Sequence, residues 1–155
     1  MEKDHVMKLS ELFSHWETIR TEMIDGVSAL TQDQLDWKPS GWNSSIADLL
    51  RHISEAELWW LGDVVLKKNI YRDLTADLAP DLESIIKELE TSHKYVLDAL
   101  LPKTVESLNE VYQIPKSEEK RSFQWILWHT IEHEMRHRGQ IFMMMRLQGV
   151  APPNV

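Results

Sequence analysis

Three histidines recur every fourth residue near the C-terminal end of the chain, His129, His133 and His137, inside the apolar stretch Ser122 to Gln148. At about 100° per helical residue each step drifts only about 40°, so a helix sets all three imidazoles on one face. Ile126, Thr130, Ile141 and Met144 fall on the same side, which makes it a face of core side chains. A neutral imidazole carries one donor and one acceptor, and both need partners when buried. Two imidazoles one turn apart on such a face are most simply satisfied by one shared metal ion. His129 and His137 stand two turns apart, about 12 Å of rise, so only an adjacent pair can hold one ion. His133 with His137 straddles the middle of the apolar face and is the preferred pair, while His129 lies toward its edge.

A third ligand must come from elsewhere. Read literally, His133-Glu134-Met135-Arg136-His137 is the H-E-x-x-H pattern of zinc metalloproteases, in which the glutamate activates water. Those proteases take another ligand from downstream, yet no His, Asp or Glu follows His137, and no sheet edge is expected here to align a peptide. The pattern is therefore read as coincidence. Upstream, His52 has Leu49, Ala56 and Trp59 as its face neighbours on an expected helix, so it also points inward. Asp48, Glu55 and Asp63 lie near the same meridian. With His129 and Glu134 they are the candidate neighbours of a catalytic site.

The elements that must position these residues are helices. Leu9, Leu12, Phe13, Trp16, Ile19, Met23 and Val27 follow three- and four-residue steps, which predicts one amphipathic helix over Met7 to Leu30, with His15 beside its stripe as an ordinary helix residue. Thr31 to Gln34 has capping-box spacing and opens a short turn of helix, broken at Pro39 to Gly41. A second long helix is expected from Ser45 to about Lys68, with Asp48 in its first turn. A polar loop follows at Asn69 to Pro80. The third helix is expected over Asp81 to Leu100 with His93 facing solvent, then a linker over Leu101 to Arg121. The histidine-rich stretch is the fourth, stopped by Gly149, Pro152 and Pro153. Four long helices without an alternating strand pattern predict an all-α four-helix bundle, with residues 1–155 as a single domain.

Composition narrows the function. The 155 residues are 43% hydrophobic and include no cysteine, which removes disulfides, thiolate metal sites and a cysteine nucleophile together. The formal charge of −8, with no basic run, disfavours nucleic acid. No apolar stretch reaches the roughly 18 residues of a membrane span, and no secretory leader is read at Met1 to His5. No membrane partner and a cytoplasmic location are the expectations. Opposite the histidine face, Trp128, Ile131, Met135 and Phe142 make the fourth helix apolar on a second side, which predicts a homodimer. Trp59, Trp60 and Trp125 come from the ligand-bearing helices and are candidates for the wall of a substrate pocket.

These residues carry a family resemblance. Leu30-Thr31, Gln34 to Trp37, Pro39, Asn43 to Ile46, Leu49-Leu50, His52-Ile53, Ala56-Glu57 and Trp59-Trp60 resemble the N-terminal signature of the DinB (damage-inducible, YfiT-like) superfamily. His129, His133 and His137-Arg138-Gly139-Gln140-Ile141 resemble its C-terminal signature. The resemblance implies an up-down-down-up four-helix bundle in which three histidines from two helices bind a divalent metal with water in the open positions. Carried over residue by residue, the ligands fall on His52, His133 and His137, with zinc expected first and nickel, iron or manganese as alternatives. His129 then becomes a hydrogen-bonding neighbour of the site and Glu134 loses its protease role, while the His129–His133 pairing stays open as the alternative. By resemblance the activity is that of a metal-dependent transferase using a low-molecular-weight thiol such as bacillithiol, mycothiol or glutathione. A protein without cysteine must take such a nucleophile from a cosubstrate. The competing expectations are a metal-dependent hydrolase of a small amide or ester and a non-catalytic, metal-stabilised bundle that binds a small molecule.

Overall fold

The helix that carries His52 begins where Ser45 and Asp48 close a capping box: the Ser45 hydroxyl accepts from the Asp48 amide at 3.1 Å, and the Asp48 carboxylate accepts from the Ser45 amide at 2.9 Å. Asp48, expected near the site, is thereby assigned to the helix end, where it also pairs with Lys38 at 3.1 Å. The structure, a computed structural model, describes residues 6–68 and 81–154, so the expected leaderless N-terminus at Met1 to His5 and the expected loop at Asn69 to Pro80 lie outside the described residues.

The helices are α1 (Leu9–Leu12), α2 (His15–Val27), α3 (Gln32–Asp36), α4 (Ile46–Glu57), α5 (Leu82–Leu100) and α6 (Phe123–Leu147). Three more N-termini are capped as the sequence predicts or closely so, by Thr31 for α3, Asp81 for α5 and Ser122 for α6. At the far end of α6, Gly149 takes a φ of +76°, the left-handed conformation that glycine adopts without a Cβ penalty.

Helix directions follow from the side chains that meet. Arg20 reaches Glu134 and Glu22 reaches Arg138, so α2 and α6 run parallel. Ser54 meets Glu88 and Glu57 meets His93, so α4 and α5 run parallel. Trp16 packs on His93 while Arg20 bonds the Leu89 carbonyl, which sets α2 against α5. His52 meets His133 and Trp60 meets His129, which sets α4 against α6. Taken in chain order the long helices run up, down, down, up.

The core has two apolar halves. One gathers Met23, Leu35, Leu50, Ile53, Leu89, Ile141 and Met144, the other Trp16, Leu61, Val96, Phe123, Ile126 and Leu127. At the level between them every long helix contributes a buried polar residue: Arg20, Glu57, Ser92 with His93, and Glu134. His93, expected at the surface, is only 5% exposed, because its Nδ1 meets the Glu57 carboxylate at 2.7 Å inside the bundle. His93 lies four residues after Leu89 and three before Val96, on the buried face of α5, and Glu57 supplies the partner its ring needs there.

Three further elements depart from expectation. The first helix breaks at Phe13 and Ser14, because the segment before it pairs with the chain after α5: Leu9 donates to the Lys103 carbonyl at 3.0 Å and Val105 to that of Met7 at 3.1 Å. The second helix continues past Glu57 as a π-helix, Leu58–Val65. The expected linker holds a 3₁₀ turn, Val105–Asn109, and an antiparallel hairpin, β1 (Val111–Gln113) with β2 (Lys120–Ser122), in the register Val111 to Ser122. Three-residue strands are too short to show an alternating pattern, and the charged turn between them reads as solvated loop.

Candidate metal centre

His133 and His137 stand one turn apart on α6, and His52 faces them from α4. Their Nε2 atoms converge: His133 lies 3.0 Å from His52 and 3.2 Å from His137, and the ligand atoms of all three lie within 4.8 Å of one another. The rings meet edge to face, with centroids 4.4 to 5.0 Å apart. His129 is the histidine this cluster leaves out. Its ring sits 6.1 Å from that of His133 and instead stacks on Trp125 at 4.7 Å, nearly parallel at 13°, with Trp60 edge-on at 5.3 Å.

The cluster fits a divalent metal on chemical grounds. Gln140 accepts from His137 Nδ1 at 2.6 Å, which fixes the proton there and leaves His137 Nε2 as a lone pair aimed at the cluster. His133 Nε2 touches the Nε2 atoms of both His52 and His137, and the single proton of a neutral imidazole cannot satisfy both contacts, whereas one cation satisfies all three lone pairs. Nitrogens at about 2.05 Å from a tetrahedral ion stand about 3.3 Å apart, close to the spacing observed. Burial is the largest influence holding the His133 imidazole down at about 4, with His137, His52 and His129 adding to it. His137 is lowered as well, chiefly by burial, against the opposing pull of its bond to Gln140. Near neutral pH His133 is therefore in the unprotonated form a metal requires. His52 is exposed, so the cluster opens to solvent on its α4 side.

Two clefts meet the cluster from opposite ends of the α4–α6 seam. One, about 350 Å³, is lined by His52, Glu55, Ala56, Trp59, Trp60, His129 and His133. The other, about 420 Å³, lies over the Gly41 to Ser44 turn, Leu49, His137 and Gln140. Trp125, expected in the pocket wall, extends the first cleft through its stack on His129 and its 5.3 Å edge contact with Trp60. Asp63, expected as a neighbour, sits in the π-helical stretch and lines neither cleft.

Glu134 belongs elsewhere. It is 1% exposed and turns from the cluster into the bundle, where it accepts from Arg20 Nε at 2.6 Å and Trp16 Nε1 at 2.8 Å. Arg20 also bonds Glu57 at 3.1 Å and the Leu89 carbonyl at 2.8 Å, so one guanidinium ties α2, α4, α5 and α6 together. Burial pushes the Glu57 carboxyl up, but Arg20 and the His93 bond outweigh it and leave it below the usual range. The sequence signal for this group is an arginine at the centre of an apolar stripe, between Trp16 and Met23.

Comparison with known proteins gives a consistent picture. The family model described as the DinB family matches residues 2–155. A crystal structure of a DinB-like protein from Bacillus cereus superposes with a TM-score of 0.73 at 15% identity, covering 97% of this chain and 99% of that one. The DinB-like protein YjoA from Bacillus subtilis superposes with a TM-score of 0.71 at 19% identity, covering 93% of this chain and 96% of that one. Among curated proteins there is no match.

Proposed function

The chain belongs to the DinB family, and we propose that His52, His133 and His137 hold one divalent metal ion, zinc first, in a transferase that joins a low-molecular-weight thiol of the bacillithiol type to a small electrophile. The observation that carries this reading is the convergence of three Nε2 atoms at the junction of two open clefts, in a chain that has no cysteine of its own. A divalent ion held by three neutral imidazoles supplies a Lewis acid with an open position, which lowers the pKa of a bound thiol or water. The chain does the rest. Gln140 holds the His137 ring in its ligand tautomer, and the Trp59, Trp60 and His129 rings line the cleft on one side of the cluster. In the transfer a carbon–sulfur bond forms, the bond from that carbon to its leaving group breaks, and the thiol proton departs without any change of oxidation state. Glu55, the carboxylate lining the aromatic cleft, is the group we assign to accept that proton.

Metal analysis of single alanine variants tests the ligand set. His52→Ala, His133→Ala and His137→Ala are expected to lose stoichiometric metal and His129→Ala to keep it; retention by His52→Ala with loss by His129→Ala overturns the assignment. Metal-loaded protein is then assayed with a panel of low-molecular-weight thiols and a reactive electrophile. A rate no better than the uncatalysed one, or equal to that of His133→Ala, removes thiol transfer and makes hydrolysis of small amides or esters the next reaction to assay.

Three wider readings accompany this one. We read residues 1–155 as one domain, supported by α2, α5 and α6, each of which enters both halves of the core, and by α4, which enters one half while its π-helical continuation enters the other. We assign the protein to the cytoplasm, supported by the lack of cysteine and of any described helix long and apolar enough to cross a membrane. We also propose a homodimer through the outer side of α6. Of the four residues expected there, Ile131 and Phe142 are covered by the chain itself, while Trp128 at 62% and Met135 at 37% remain exposed.

A further inference from the structure

The two clefts that meet at the histidine cluster differ in chemistry, and the difference follows from how α4 and α6 pass one another. The helices are antiparallel, so residues after His52 on α4 lie beside residues before His133 on α6, and residues before His52 lie beside those after His137. From His129 to Gln140 the seam runs about 16 Å, with the cluster in its middle and each end within about a turn of it.

The end toward His129 is aromatic. Trp60 is its centre, meeting Trp59 at 4.5 Å and 76° and His129 at 5.3 Å and 77°, so neighbouring rings stand nearly perpendicular and wall a slot. The π-helical turn contributes to this. Its wider winding, seen in the bond from the Leu66 amide to the Leu61 carbonyl five residues back, lets the adjacent Trp59 and Trp60 both line the cleft. Rings with exposed faces favour a planar apolar group. A cationic group is disfavoured there even with Glu55 on the wall, because a divalent ion between the imidazoles of His52 and His133 would repel it within a turn's distance.

The end toward Gln140 carries most of the polar groups. Trp42 and Leu49 line it too, but beside them stand Asn43 and Ser44 on the turn that Gly41, with φ at +82°, allows, and Gln140, which uses its Oε1 on His137 and keeps its amide N–H groups to donate. Lys38, paired with Asp48, ties this turn to the start of α4 by donating to the Asn43 carbonyl at 3.0 Å. A molecule with several hydrogen-bond acceptors finds partners at this end in Asn43, Ser44 and Gln140 that the aromatic end lacks.

We propose that the seam is a two-subsite groove: an uncharged planar electrophile lies between Trp59, Trp60 and His129, and a hydrophilic thiol lies over Asn43, Ser44 and Gln140, so that their reacting atoms meet at the histidine cluster. The proposal rests on the transferase reading for its chemistry, but the two subsites are tested by binding alone. The probes are 1,3-dinitrobenzene, a neutral planar compound with no leaving group for a thiol, and reduced glutathione as the hydrophilic thiol. Both are titrated calorimetrically into the zinc-loaded full chain, singly and each in the presence of saturating amounts of the other. Trp60→Ala is expected to weaken dinitrobenzene roughly tenfold and leave glutathione unaffected. The double variant Asn43→Leu with Ser44→Val is expected to do the reverse, and both variants should retain zinc at the wild-type ratio. Displacement of one probe by the other, a variant that acts on the wrong probe, or failure of either probe to bind overturns the proposal. Simultaneous binding without any product from 1-chloro-2,4-dinitrobenzene and glutathione leaves the groove standing and removes the transferase reading instead.

Discussion

Gln140 cannot ligate the ion itself, yet it decides which nitrogen of His137 faces the cluster. The proton held between His137 Nδ1 and Gln140 Oε1 at 2.6 Å leaves Nε2 bare. Removing such an orienting partner commonly costs about 10- to 100-fold in metal affinity. Gln140→Leu is accordingly expected to bind zinc more weakly by that order in competition with a chromophoric chelator, whereas Arg136→Leu, whose partner Glu132 lies with it on the surface, should match the wild type. Gln140 was visible in the sequence as part of the His-Arg-Gly-Gln run, three residues after a ligand and hence on the same face. Its role was not, because spacing gives the face of a side chain and not the atom it meets. Glu134 makes the same point in reverse: one residue from His133 is about 100° around the helix, enough to turn a carboxylate from the metal cluster into the bundle core.

At the scale of elements, the polar layer between the two core halves governs how α4 and α6 present their histidines. Arg20 bonds Glu134 on one ligand helix and Glu57 on the other, and it is only 3% exposed. Replacing it leaves two buried carboxylates facing each other without a cation, and breaking a buried ion pair from one side costs about 3–5 kcal/mol. Arg20→Met is therefore expected to lose stability of that order in urea denaturation of the metal-free protein. A midpoint equal to the wild type would mean that the layer carries no net stabilisation. The layer also shows what the expectation for His93 lacked. Four residues after Leu89 and three before Val96, it lies on the apolar stripe of α5, and only its partner, Glu57 of another helix, is out of reach of periodicity.

For the whole molecule, the outer side of α6 keeps Trp128 and Met135 exposed. A second copy is the partner proposed for that side, so light scattering at micromolar concentration should give twice the chain mass, and Trp128→Asp should return the mass of one chain. A single-chain mass for the unmodified protein removes the dimer. The sequence by itself determined the class and the long helices, because apolar residues at three- and four-residue steps and capping residues such as Thr31 and Ser45 act within a few positions of chain. It also brought forward His52, His133 and His137, since inward imidazoles on two helices are costly unless they share something. Tertiary structure alone decided which nitrogens converge, where Glu134 and His93 point, and that β1 and β2 pair across a stretch that reads as linker. Each of these depends on partners distant in sequence, and local periodicity holds no information about a contact between helices whose relative rotation only packing fixes.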